Sequence, residues 1–217
     1  MKNAIAFLKK LKKNNKTEWM HAHKDEYLVA KKEFEFLVQE IIARISEWDS
    51  RLPFLEPKNC TFRINRDIRF SDDKRPYKTH MGAYFSYGGK KSDLPGYYLH
   101  VAPEEVFVAG GVWMPEAPSL LKLRRHIMNS GDDLEAILKD KAFKKTFGSL
   151  GMDSALTRPP KGFSADTPHI DLIKLKSFVV TKKLDVSDVM KPGFGKLVDK
   201  NFKLMKPLND FLYEGSV

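Results

Sequence analysis

The chain has 217 residues, 42% of them hydrophobic and 12% aromatic, with one cysteine and a formal net charge of +10. That length supports a core burying roughly 70% of the unfolded surface. Cys60 has no cysteine partner for an internal disulfide, and no apolar run approaches the ~18 residues a membrane-spanning helix needs.

Residues 3–13 have the spacing of a short helix that ends at Asn14-Asn15. Its apolar run Ala4 to Leu8 is too short for a secretory leader and meets lysines at once. Tyr27, Ala30, Phe34, Leu37, Ile41, Ile45 and Trp48 step by three and four, which predicts a long helix over 22–48. Lys31, Lys32, Glu35 and Glu40 form its solvated face.

After Pro53 and Pro57 the period changes to two. Phe62, Ile64, Ile68 and Phe70 alternate with Arg63, Asn65, Asp67, Arg69 and Ser71, the pattern of a strand. Arg66 breaks it: a cation on the apolar side must snorkel, find a carboxylate or be turned outward by a bulge. Ser71 to Thr79 reads as a polar loop in which Pro76 holds Arg75 extended.

Strands follow at about Met81–Tyr87, Tyr97–Ala102 and Val106–Ala109, the last two joined as a hairpin by Pro103-Glu104. The Gly110-Gly111 pair before Trp113 lets another backbone or a ligand come close. Helical spacing returns near Ala117–Met128 and again after Asp132, which stands three before Glu135 as in a capping box. A loop with Pro160-Lys161-Gly162, a short helix from about Thr167, a strand near Phe178–Lys182 and a helix from about Lys196 to Phe211 complete the chain. Helices, mostly antiparallel strands, then helices predict an α+β fold, a sheet packed by N-terminal and C-terminal helices. No linker, repeat or low-complexity tract interrupts it, so residues 1–217 are expected to form one domain.

The charge is concentrated. Residues 51–100 carry ten cations and five carboxylates, half of the net excess of +10. Within them, Arg63 to Lys78 holds six cations (Arg63, Arg66, Arg69, Lys74, Arg75, Lys78) and three carboxylates (Asp67, Asp72, Asp73). Guanidinium forks suit carboxylate or phosphate oxygens, and a rigid element holds them better than a solvated tail does. Arg63, Arg66 and Arg69 are expected to clamp an anion, Lys74, Arg75 and Lys78 to steer it, Tyr77 to form the rim and Asp67 to orient the clamp.

Several segments together resemble the family catalogued as domain of unknown function 2461: Asn14-Asn15 with Trp19 and Tyr27, Arg66-Asp67-Ile68-Arg69-Phe70, Lys74 with Pro76-Tyr77-Lys78, Gly96-Tyr97-Tyr98, Gly110-Gly111 with Trp113, and Pro160-Lys161-Gly162. The resemblance spans nearly the whole chain and implies a single α+β domain. It brings no established activity, cofactor or catalytic residue. The chain departs from the pattern at Met20, where an aromatic residue usually follows Trp19, and at Thr167, where a histidine is common between Asp166 and Pro168.

The expected function is therefore binding of an anionic, phosphate- or carboxylate-bearing small molecule by a cytoplasmic protein. The alternatives are an enzyme acting on a phosphorylated substrate, with Asp67 and His100 as the catalytic candidates, and a binder of single-stranded nucleic acid that uses Phe62, Tyr84 and Tyr98 among its stacking rings. No cofactor and no metal are expected: His21-x-His23 and His169-x-Asp171 lack a third ligand at zinc spacing. No nucleophile elbow is present, and oligomeric state is not readable from these features.

Overall fold

A computed structural model describes residues 1–52, 54–69, 72–151 and 155–217 and shows an α+β fold. Pro53, Phe70 and Ser71, used in the strand reading above, lie outside the described residues.

Helix α1 (Lys2–Lys13) places Ala4, Ile5, Phe7, Leu8 and Leu11 on one buried face, with Lys10, Lys12 and Lys13 at its C-terminal end, where the helix dipole favours cations. A short α2 (Thr17–Ala22) precedes α3 (Lys24–Ser46). The break comes at His23, whose ring stacks on Trp19 at 4.0 Å while Nδ1 meets the Trp19 carbonyl at 2.9 Å. This is why α3 starts later than its apolar spacing suggests. Glu33 of α3 holds the start of α1 from two sides, pairing with the N-terminal ammonium at 2.9 Å and accepting the Ala4 N–H at 2.8 Å. The four-residue α4 (Pro57–Cys60) opens on a proline and is fixed by the Asn59 side chain, which accepts the Glu56 N–H at 3.1 Å. It buries Cys60, whose thiol desolvation pushes up to about 12 and so holds protonated.

Strands β1 (Met81–Phe85), β2 (Gly96–Val101), β3 (Val106–Val112) and β4 (Phe178–Leu184) form one antiparallel sheet in chain order. The β2–β3 turn is closed by the Ala102 N–H donating to the Glu105 carbonyl at 2.9 Å, around the expected Pro103-Glu104 pair. On β2, Tyr97, Leu99 and Val101 are buried, while Tyr98 and His100 alternate to the half-buried side.

Helix α5 (Ala117–Lys139) covers both stretches of helical spacing read above, with a non-helical Ser130 (φ −130°, ψ 24°) where the two meet. Asp132 does not cap a new helix. It and Glu135 approach His169 at 3.7 and 3.0 Å, and Gly131 leaves room for that ring, since a Cβ there would lie 2.3 Å from it. Helices α6 (Lys141–Phe147), α7 (Ile170–Ile173) and α8 (Phe194–Glu214) complete the fold, α6 being capped by Asp140 accepting the Phe143 N–H at 2.8 Å. Among the described residues no helix is long and apolar enough to cross a membrane.

The residues fall into two compact units, each assembled from segments far apart in sequence. One comprises Met1–Lys90, Tyr98–Val108 and Lys183–Asp199; the other comprises Lys91–Tyr97, Ala109–Lys182 and Lys200–Val217. Because both are discontinuous, no linker composition marks them. In the first, the Trp48 indole donates to Asp199 at 2.8 Å. In the second, Tyr97 packs on Phe202 at 5.1 Å and the Asn209 amide donates to the Gly96 carbonyl at 3.0 Å. There the glycine pair serves packing: a Cβ on Gly111 (φ 121°) would sit 1.8 Å from the Phe178 carbonyl oxygen, and one on Gly110 would sit 2.7 Å from the Met205 sulfur.

Candidate functional site

The arginine-rich segment belongs to the first unit, and it is not a strand. It runs antiparallel to 76–83 but makes only isolated bridges, Thr61 with Ala83 and Asn65 with Tyr77. Its backbone bonds are Phe62 N–H to Gly82 O at 3.0 Å, Arg66 N–H to Pro76 O at 2.9 Å and Lys78 N–H to Ile64 O at 2.8 Å. The alternating pattern fails because the aspartates take the backbone elsewhere. Asp67 accepts the Arg69 N–H at 3.3 Å and Asp73 accepts the Arg75 N–H at 3.1 Å, turns that compete with a ladder. Ile64 is buried as expected, whereas Phe62 and Ile68 are exposed. Asn15 ties the hairpin down, accepting the Tyr77 N–H at 3.0 Å and donating to the Tyr77 carbonyl at 2.9 Å.

The same aspartates divide the six cations into two sets. Arg69 grips Asp67 through Nε at 3.0 Å and Nη2 at 2.7 Å, and Arg75 grips Asp73 through Nε at 2.9 Å and Nη2 at 2.6 Å. Arg66 reaches the same Asp73 at 2.6 Å, the carboxylate solution to its place in the pattern, while its Nε finds no acceptor among the described residues. Lys74 donates to the Ile68 carbonyl at 3.1 Å. Like Lys74, Arg63 and Lys78 have no carboxylate within ion-pair distance among the described residues, although Asp67 and Arg63 act on one another through their charges. Tyr77, expected at a rim, is only 6% exposed.

Arg63 lines an open cleft of about 240 Å³. Its other cations are Lys31, Lys58 and Lys90; Glu35 is the one carboxylate among its lining residues, and Phe34, Phe62, Ile64 and Met81 supply apolar surface. Lys31 is 3.5 Å from Glu35, Lys58 pairs with Glu56 at 2.6 Å, and Lys90 donates to the Lys58 and Thr61 carbonyls at 2.5 and 2.6 Å. Lys78 lies beside this surface with Nζ 5.5 Å from the Phe62 ring centroid. Burial, with the charges of Arg63 and Arg66, lowers its pKa below the ordinary lysine value.

His80 also lines the cleft, and its ring lies 4.3 Å from that of His100. His100 is held on three sides: stacked on Phe107 at 4.5 Å, against His80, and by a 3.2 Å hydrogen bond between Nδ1 and the Tyr98 hydroxyl. Gly82 makes the space for that hydroxyl, since a Cβ there would meet it at 2.6 Å. Desolvation lowers both imidazoles to about 4, helped at His80 by the charges of His100, Lys78 and Arg66, and burial raises Tyr98 to about 12. At neutral pH the pair is uncharged and the tyrosine protonated.

Of the catalytic candidates, His100 thus stands in a built cluster next to the cleft. Asp67 does not: its hydrogen bonds from Arg69 hold it near 2, so it is a spent base. Lys58, Lys90 and His80, which line the cleft, were not among the sequence candidates, and Asn15 was singled out there only within the family resemblance. No curated protein and no solved structure matches the chain. The family described as conserved hypothetical protein (DUF2461) matches residues 3–211, and the chain belongs to that family.

Proposed function

We propose that the protein binds an anionic small molecule, bearing a phosphate or carboxylate group, in the cleft lined by Arg63. The observation that supports this reading is the division of the arginines: Arg69 is gripped by Asp67, and Arg66 and Arg75 share Asp73, whereas Arg63 and Lys78 have no carboxylate within ion-pair distance among the described residues. Two cations held beside apolar surface retain donors for an external oxyanion. A cleft of about 240 Å³ matches a small metabolite, below the roughly 300–1,000 Å³ of drug-sized pockets. The compartment we assign is the cytoplasm, in keeping with a single buried thiol.

Thermal denaturation with phenyl phosphate tests the reading. Ligand at about 100 times its Kd stabilises the folded state by about 2.7 kcal/mol. Arg63→Ala is expected to lower the affinity by about ten-fold or more, the worth of one charge-assisted hydrogen bond. Arg69→Ala keeps wild-type affinity, because that guanidinium is occupied by Asp67. Equal losses in the two variants contradict the proposal.

One observation favours a second reading, an enzyme acting on a phosphorylated substrate. The tilted His80–His100 pair supplies neutral imidazole beside the cleft, the state a general base requires.

A further inference from the structure

Taking the anion cleft as given, we infer that His80 makes it selective for dianionic phosphate monoesters, taking up a proton from solvent as the ligand binds. Phosphate monoesters carry close to two charges at neutral pH, and monocarboxylates, sulfate monoesters and phosphodiesters carry one. Arg63 and Lys78 supply two cations that make no ion pair among the described residues. Of the other cations lining the cleft, Lys31 and Lys58 face glutamates and Lys90 donates to two backbone carbonyls. A dianion favours one more donor, and a titratable imidazole supplies it without adding a further permanent charge to a cleft already lined by four cations.

The surroundings of His80 fit this role. It lines the cleft, no protein group hydrogen-bonds to it among the described residues, and neither ring nitrogen is sealed from solvent. A nitrogen thus remains open to an incoming oxygen. Its partner ring cannot take its place, because His100 is fixed by Phe107 and by the Tyr98 hydroxyl at Nδ1. The groups that act on His80 are Lys78, Arg66 and His100, and the cleft adds Arg63, Lys31, Lys58, Lys90 and the single carboxylate Glu35. In the free protein the electrostatic balance opposes protonation. A dianion in the cleft reverses it, so a proton passes from solvent to the open ring nitrogen and the new N–H donates to a phosphate oxygen.

Phenyl phosphate and phenyl sulfate are nearly isosteric and differ by one charge, which makes them the probes. Calorimetric titration at about pH 7 in buffers of different ionisation enthalpy reads affinity and proton uptake together. The expected result is a preference for phenyl phosphate of about ten-fold or more, with uptake of a substantial fraction of a proton. His80→Gln is expected to abolish the uptake and bring phenyl phosphate down to the level of phenyl sulfate. Equal affinities, or no proton uptake by the wild-type protein, overturn the inference whether or not the variant folds. If both probes still bind at Arg63, the anion cleft survives that outcome; if neither binds, both readings fall.

Discussion

Asp67 and Asp73 each stand two residues before an arginine, and each closes on that arginine through both side-chain and backbone bonds. This repeated Asp-x-Arg spacing decides which cations are available, and it was readable in the sequence. His80 was not, because a histidine just outside a strand follows no period. What matters there is a neighbour on another strand, His100, brought 4.3 Å away by the sheet. Both rings have depressed pKa values, so their contribution to stability is complete above about pH 6.5, the ordinary histidine value, and is lost as pH falls towards about 4. Between pH 7 and pH 5 the pair is expected to cost on the order of 1 to 2 kcal/mol, reduced from the fully buried case because each ring keeps contact with water. Urea unfolding at the two pH values measures it. The double variant His80→Gln, His100→Gln is expected to flatten that dependence, whereas the Asp67–Arg69 pair acts only at much lower pH.

At the scale of elements, close backbone approach explains features that side-chain patterns leave open. Gly111→Ala forces a Cβ into the Phe178 carbonyl at 1.8 Å with φ at 121°. It is expected to destabilise by about 3 kcal/mol or more, or to prevent folding, as thermal or chemical denaturation will show. The sequence offered that glycine pair to either a ligand or a backbone, and the occupants are the β4 backbone at Gly111 and the Met205 side chain at Gly110. The long helices and the β2–β3 hairpin were legible because their apolar residues recur at the period of the element and their turn carries proline. The stretch beginning at Phe62 was read as a strand, and among the described residues to Arg69 it makes only isolated bridges, for a physical reason. Its apolar residues alternate, but aspartate side chains capture the backbone N–H groups a ladder would use. Short helices such as α2 and α4 span too few residues to show a period, and the bend at Ser130 in α5 falls between two apolar repeats.

For the whole molecule, a charge of +10 invites a nucleic-acid reading, yet the arginines of its richest segment are largely tied to the protein's own carboxylates. Three arginines of that segment share two aspartates, and Arg63, which makes no ion pair among the described residues, lines a small cleft instead of a long basic stripe. Single-stranded DNA is therefore expected to show only weak binding that vanishes by about 200 mM salt in fluorescence anisotropy; saturable binding with a steep salt slope would support the rival. Division of the chain into two interleaved units also explains why composition gave no sign of a boundary. The most direct test of the account is side-chain nitrogen NMR during titration with phenyl phosphate. The account predicts that the Arg63 Nε and Lys78 Nζ resonances shift saturably while those of Arg69 and Arg75 stay in place. Shifts at Arg69 and Arg75, or none at Arg63, would contradict it.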